Sequence, residues 1–359
     1  MIAEKILQHD ENLIQKIRSG NMWVCFGAGR CFREFIETYC LQKKILPLPK
    51  CVFDSNKEVW GKCVKSVPVC RPELIKLPDY RTTIMVICSV LPYSILAKLN
   101  TIVCGGGTIA YPLSQIEFYL YYEEHKDEYN EVYHFLKDEQ SRYVWENYWM
   151  GMLSGNIYFP TLFSSEPYWG NDIVSELGSD EEIVYAGVAE GESLDRAIAL
   201  NSRIVVHGFE PNRKQYMELL EKYKFYKNVH IYNYGLFNRE DTEFINAQGY
   251  SSCIVTNEAG NVNLSRNAKI EEVKLQTIDN MIGNRLDLIA LDIEGSEVEA
   301  LQGGEQSIRR HHPKLAISVY HKTAHYLEIP LLIKSFSADY RLFFRQHSMT
   351  PAESVIYAI

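Results

Sequence analysis

No apolar run in this 359-residue chain is long enough to cross a bilayer. The first ten residues, Met1 to Asp10, are too polar for a secretory signal. A soluble cytoplasmic protein is therefore expected. Clusters of basic residues with interleaved aromatics are also missing. The 37 Lys and Arg are scattered among 46 Asp and Glu, for a net charge of −9, so nucleic acid is not an expected partner. None of the nine cysteines forms a C-x-x-C pair, which argues against a zinc finger or a thioredoxin-like motif. Cys25, Cys88 and Cys104 sit inside apolar strand candidates, where a thiol acts as a small hydrophobe. Disulfides are not expected in a reducing compartment. Repeats and low-complexity tracts are absent.

The length exceeds one typical hydrophobic core, so two domains are expected. Ile2, Ile6, Leu13, Ile14 and Ile17 carry a helical pattern. Met22–Phe26, Cys51–Asp54, Ile84–Cys88 and Thr101–Cys104 read as short strands alternating with helical stretches, the pattern of a parallel sheet. Residues 1–114 thus form a small Rossmann-like domain. From Gln115 to Trp149, tyrosines and acids at helical spacing predict a helical connector over 115–165. A second series fills 166–359, with strands at Ile183–Ala186, Arg203–Glu210, Asn228–Tyr232, Leu286–Asp292 and Lys314–Tyr320. Tyr340–Phe344 and Ser354–Ala358 follow with no room for a helix between them, so this last pair must be antiparallel.

In an open α/β sheet, ligands bind just past the carboxyl ends of the strands. Gly187 and Gly191 stand there in a strand-to-helix turn, where glycine lets backbone approach a ligand. The next strand ends at Glu210, followed by Pro211 and Asn212. An acid at that place can accept both ribose hydroxyls, or simply offset the dipole of the helix from Arg213 to Lys222. Together the turn and the acid favour an adenosine-type cofactor. Asp292 ends the apolar strand Leu286–Asp292, with Glu294 two residues on; these two are the candidate ligands for a divalent metal. Ser296-x-x-Glu299 fits a capping box, and Glu297 fits a first-turn dipole partner. His321 follows the fifth strand and would share the sheet edge with Asp292, either as a general base or as a structural histidine; His325 and His347 are secondary. In the first domain, Gly27 and Gly29 form a glycine turn, but Phe32 replaces the third glycine of a dinucleotide fingerprint. Asp54 there would meet a ribose or the loop backbone.

These blocks, with Asp138–Arg142, Glu166–Trp169, Phe209-Glu210-Pro211, Asp292–Glu297 and Lys314–Lys322, resemble the FkbM family of S-adenosylmethionine-dependent methyltransferases from about Asp138 onward. The resemblance implies a class I methyltransferase fold with a terminal antiparallel hairpin. It implies S-adenosylmethionine over Gly187 and Gly191, its ribose on Glu210 beside Asn212, and its adenine near Gly235 and Leu236. It implies Asp292 facing the methyl group, and a sugar, glycan or natural-product hydroxyl as acceptor. Tyr168, Trp169 and Glu294 are the candidate acceptor contacts, although Tyr168 and Trp169 also suit inter-domain packing. Tyr185 stands where the family carries an acid before the glycine turn. The first domain resembles small Rossmann-like modules found beside sugar-modifying enzymes, which leaves an NAD-dependent oxidoreductase and a non-catalytic nucleotide-sugar assembly protein as rival readings. The sequence leaves room for a homo-oligomer.

Overall fold

A computed structural model describes residues 14–76, 84–88, 109–154, 159, 162–164, 166–246, 254–255 and 270–359. The expected strand at Thr101–Cys104, most of the N-terminal helix, Cys104 and Cys253 lie outside these residues. The chain divides into two compact units, Met1–Glu124 with Trp149–Ile157, and His125–Tyr148 with Tyr158–Ile359.

The first unit is built on a six-stranded sheet. Its strands are β1 (Trp23–Phe26), β2 (Val52–Phe53), β3 (Cys63–Val64), β4 (Val67–Cys70), β5 (Ile84–Ile87) and β6 (Ile109–Pro112). They run in the order β3-β4-β2-β1-β5-β6, all parallel except β3. The β1 sequence Trp-Val-Cys-Phe is buried throughout, as a central parallel strand covered on both faces must be. Helix α1 (Arg30–Phe35) follows the Gly27 turn, and α2 (Leu113–Glu124) follows β6. At Gly27, φ is +95°, and a Cβ would stand 2.7 Å from the Cys88 carbonyl oxygen, so only glycine fits. The seven described cysteines are all free thiols.

In the second unit, helix α3 (Lys126–Phe135) and much of α4 (Glu139–Ser154) precede a seven-stranded sheet. The sheet strands are β7 (Glu182–Ala186), β8 (Val205–Phe209), β9 (Val229–Tyr232), β14 (Leu288–Leu291), β15 (Lys314–Ser318), β16 (Leu342–Gln346) and β17 (Ser354–Ala358). Their order is β16-β17-β15-β14-β7-β8-β9. Five strands pair in parallel from β15 to β9, and β17 runs antiparallel to both β15 and β16. Helices α5 (Glu192–Leu200), α6 (Arg213–Tyr223), α7 (Ile278–Met281), α8 (Glu297–Gln302), α9 (Glu305–His311) and α10 (His325–Phe336) connect them. Between β9 and β14 the chain adds a second sheet, β10 (Gly235–Leu236), β13 (Ile270–Gln276), β11 (Asp241–Asn246) and β12 (Ile254–Val255), in that spatial order. The sequence reading assigned no strand to that insertion. β13 carries Glu272, Lys274 and Gln276 at alternate positions, a weaker signal than the apolar run Leu288–Leu291 of β14.

The start and end of this unit are joined by Arg345 on β16. Its guanidinium is 1% exposed and lies 2.7 Å from Asp138 Oδ2 and 2.6 Å from Asp172 Oδ2. It also donates to Ser141 Oγ at 2.8 Å. Burial works against the Asp138 carboxylate, but bonds from Arg345 and Ser141 outweigh it and hold its pKa below the usual value. Replacing Arg345 with Met should lower stability by about 1–3 kcal/mol, because it removes the partner of the half-buried Asp138 and of the more exposed Asp172; urea denaturation reads the shift. In the first unit, Glu117 on α2 is mostly buried near Glu34, and burial pushes its pKa up from 4.5 to about 7. With its folded value above the unfolded one, its contribution is fully present below pH 4.5 and is lost as pH rises through about 7. Glu117→Gln should therefore gain about 1–3 kcal/mol over the parent above neutral pH, with the difference closing on acidification. Melting curves across that pH range would show it.

Candidate active site

The site forms where β7 and β14 end side by side. Gly187, with φ +84°, passes so close to Asp292 that a Cβ would lie 1.8 Å from its carbonyl oxygen. No other residue fits without moving the end of β14. Gly187 N–H donates to the Phe209 carbonyl, joining the turn to β8. Beyond β8, the Glu210 carboxylate bridges two turns: Oε2 accepts from Ala189 N–H at 3.0 Å and Oε1 from Asn212 N–H at 2.9 Å. Burial raises its pKa, and these two bonds offset only part of that. The Asn212 side chain caps α6 by accepting from the N–H groups of Lys214 and Gln215.

A cleft of about 240 Å³ runs from Glu210, Pro211, Tyr234, Gly235 and Leu236 to Asp292, Glu294 and Glu353. A second hollow, lined by Tyr168, Tyr185, Glu190, Ser193 and Arg196, shares Gly187, Ala189, Asp292 and Glu353 with it. Among the predicted residues, the structure brings Gly187, Glu210, Leu236, Asp292, Glu294 and Tyr168 to these walls. Gly191, Asn212, Trp169 and His321 line neither hollow. Trp169 is buried, packs edge-on against Tyr185 and donates its indole N–H to the Ser193 carbonyl at 2.8 Å. Tyr185 itself is buried among Tyr168 and Trp169, so the residue replacing the family's acid is an uncharged core aromatic.

Asp292 is held by two phenols. Tyr168 donates to Oδ2 at 2.6 Å and Tyr320 donates to Oδ1 at 3.0 Å. Burial pushes both phenols upward in pKa, and the Asp292 charge adds to it, so they remain donors. His321 lies alongside, with Nε2 3.4 Å from Asp292 Oδ1 and 3.7 Å from Glu294 Oε2, and Nδ1 2.8 Å from Glu297 Oε1. Burial alone would lower the imidazole pKa, but its bond to Glu297 and the surrounding carboxylates raise it. Burial likewise raises Glu294, with Asp292 and Glu297 adding to it and His321 opposing.

Two expectations fail at the next helix. Ser296 makes no side-chain cap, and Glu299 Oε2 has no hydrogen-bond partner, so the capping box does not form. Glu297 is more than a dipole partner: it is wholly buried, and Oε1 accepts from Ile293 N–H at 2.9 Å and Gly295 N–H at 3.3 Å. Its other oxygen lies 3.1 Å from His325 Nδ1. The tight turn through Glu294 (φ 55°) and Gly295 (φ 101°) aims those N–H groups inward at Glu297, and this displaces the capping geometry. Burial opposes the Glu297 charge, but the two histidines hold its pKa far below the usual carboxylate range.

Sequence reasoning missed Tyr320, Glu297 and Glu353 as site residues. Tyr320 could have been found, since it adjoins His321 at the same strand end. Glu353 lies in the hairpin turn before β17 and lines both hollows, a placement that only the β17 pairing creates. Tyr168, Ala189, Glu294 and Glu353 all have positive φ and all line these hollows; each such non-glycine residue costs about 1–3 kcal/mol. In the first unit, Gly27 and Gly29 form the turn after β1, and both Asp54 oxygens are taken by backbone, Oδ2 by Ala28 N–H and Oδ1 by Asn56 N–H, each at 2.7 Å. Asp54 thus joins two turns through its carboxylate in the same way as Glu210 does in the second unit.

Residues 185–347, which include the turn, the strand-end acids and His321, match the family model described as the methyltransferase FkbM domain. Over these residues the chain is similar to the FkbM methyltransferase family. A crystal structure of methyltransferase FkbM from Methylobacillus flagellatus KT aligns over 98% of this chain and 93% of its own, with TM-score 0.58 and 18% identity, and shares the fold. Fibrillarin from Aeropyrum pernix aligns over 50% of this chain and 67% of its own, with TM-score 0.32 and 11% identity, a likeness too loose to argue from. No curated protein matches in sequence. Among the described residues, no helix is long and apolar enough to cross a membrane.

Within the FkbM domain, Glu297 fastens the turn after β14 to the histidines after β15. Glu297→Leu should cost about 3–5 kcal/mol, since it leaves two backbone N–H groups and the His321 imidazole without their acceptor and removes the charge beside His325. Urea denaturation of the full chain measures the loss; an unchanged midpoint would refute the assignment.

Proposed function

We propose that the FkbM domain transfers the methyl group of S-adenosylmethionine to a hydroxyl oxygen of a sugar, a glycan or a related natural product. The observation that carries this reading is Glu210. It is a buried carboxylate at the end of the second strand, and it faces the same cleft as the Gly187 turn. Each Glu210 oxygen accepts one backbone N–H and keeps a lone pair for a ribose hydroxyl. Gly235 and Leu236 would then border the adenine, and the Gly187–Glu190 turn would take the methionine end. The sulfonium methyl would point toward Asp292 and Glu353, the residues shared by the two hollows.

The reaction is an in-line displacement. The acceptor oxygen bonds to the methyl carbon as the carbon–sulfur bond breaks, and S-adenosylhomocysteine leaves. Most of the catalysis then comes from alignment, with one proton to be removed from the acceptor. Asp292, Glu294 and His321 stand where that proton would leave, and their acceptor atoms suit hydroxyl groups better than an apolar substrate. Tyr168 and Tyr320 fix the Asp292 carboxylate in direction.

By calorimetry, S-adenosylmethionine should bind the full chain, and Glu210→Ala should weaken it by roughly 10- to 100-fold, the loss of charged hydrogen bonds to ribose. In His321→Ala and Asp292→Asn, cofactor binding should persist while transfer of labelled methyl to a sugar-hydroxyl acceptor pool is lost. Full transfer in both variants, or binding that ignores Glu210→Ala, would overturn the reading.

A further inference from the structure

Three donor atoms converge past the carboxyl ends of β14 and β15: His321 Nε2, Asp292 Oδ1 and Glu294 Oε2. Nε2 lies 3.4 Å from the first oxygen and 3.7 Å from the second. Both separations exceed hydrogen-bond length. The His321 side chain is only 7% exposed, yet Nε2 has no hydrogen-bond partner. A buried ring nitrogen aimed between two carboxylates without bonding either is costly as it stands.

The same spacing suits ligands of one ion. Two donors held at about 2.1 Å from a metal stand about 3.0 Å apart at a right angle and about 3.4 Å apart at a tetrahedral angle. Glu294 is one-third exposed and has the freedom to close the small excess. Asp292 Oδ1 accepts one phenol hydrogen from Tyr320 and keeps a lone pair. The far side of the imidazole supplies a second, independent sign. Nδ1 lies 2.8 Å from the wholly buried Glu297 carboxylate. A carboxylate behind a histidine, fixing its tautomer and direction, is the usual support of a metal-bound imidazole. One imidazole with carboxylates selects manganese, iron, cobalt or zinc over the oxygen-preferring calcium and magnesium.

We propose that Asp292, Glu294 and His321 bind one divalent transition-metal ion, with Glu297 as the positioning residue behind the histidine. The ion's use as a Lewis acid at the acceptor hydroxyl rests on the methyl-transfer reading; its binding does not.

The test uses the full chain, stripped with a chelator and titrated with Mn²⁺ under electron paramagnetic resonance. One ion per chain should bind, and echo-modulation spectra should show one directly bonded imidazole nitrogen. His321→Ala should abolish the nitrogen coupling and weaken binding at least roughly 100-fold, and Asp292→Asn, which keeps the side-chain shape, at least roughly 10-fold. Glu297→Gln should weaken it roughly 10- to 100-fold by freeing the ring. Circular dichroism and S-adenosylmethionine calorimetry on the same samples establish folding and cofactor binding separately. Failure to take up Mn²⁺ or Zn²⁺, binding without nitrogen coupling, or uptake indifferent to His321→Ala would overturn the proposal. If the cofactor still binds in that case, the methyl-transfer reading is untouched. Nitrogen-coupled Mn²⁺ without cofactor binding would leave the metal site standing and refute only the cofactor.

Discussion

The buried carboxylate of Glu297 is the constraint on which the rest of the site depends. It receives the N–H groups of Ile293 and Gly295 and lies against both His321 and His325. In one residue it fixes the backbone turn that presents Asp292 and Glu294, and the ring that faces them. At zero exposure its charge is held on one oxygen by two backbone N–H groups and the His321 imidazole, with His325 beside the other oxygen. The turn after β14 and the loop after β15 therefore behave as one piece. Removing that carboxylate would release them together.

Around this piece the molecule accepts strain. Gly187 runs almost against the Asp292 carbonyl, and Tyr168, Ala189, Glu294 and Glu353 are held in left-handed conformations. The folded sheet supplies the energy that keeps them there, through the wholly apolar cores of β14 and β15 and through the Arg345 clamp on Asp138 and Asp172. A carboxylate such as Asp292, with both oxygens already engaged by phenols, has little freedom to reorient. A reaction that depends on alignment gains from that rigidity.

The fold was largely legible because its central strands are predominantly apolar runs, followed at their carboxyl ends by Gly187, Glu210, Asp292 and His321. A strand end fixes both a position along the chain and a place on the sheet, so those four residues could be brought to one edge from sequence alone. Other parts were not readable for definite physical reasons. The pattern Ser296-x-x-Glu299 satisfies a local rule, but the tertiary pull of Ile293, Gly295 and two histidines on Glu297 overrides it. Burial of an acid by partners more than twenty residues away leaves no local trace. Glu353 reaches the site only because β17 pairs between β15 and β16, a matter of topology. Trp169 and Tyr185 pack on each other, and an aromatic residue reads the same in sequence whether it faces a ligand or a neighbour.

The position of β17 has a consequence for how the chain is made. It fills an interior slot of the sheet, yet it leaves the ribosome after every other strand described here. Until it arrives, β15 and β16 each present an open edge, and Glu353 and Tyr357 are missing from the site and from beneath Tyr168. The unit is thus closed by insertion rather than by growth at a rim. During synthesis it must wait in a partly built state whose exposed edges are a natural point of engagement for chaperones.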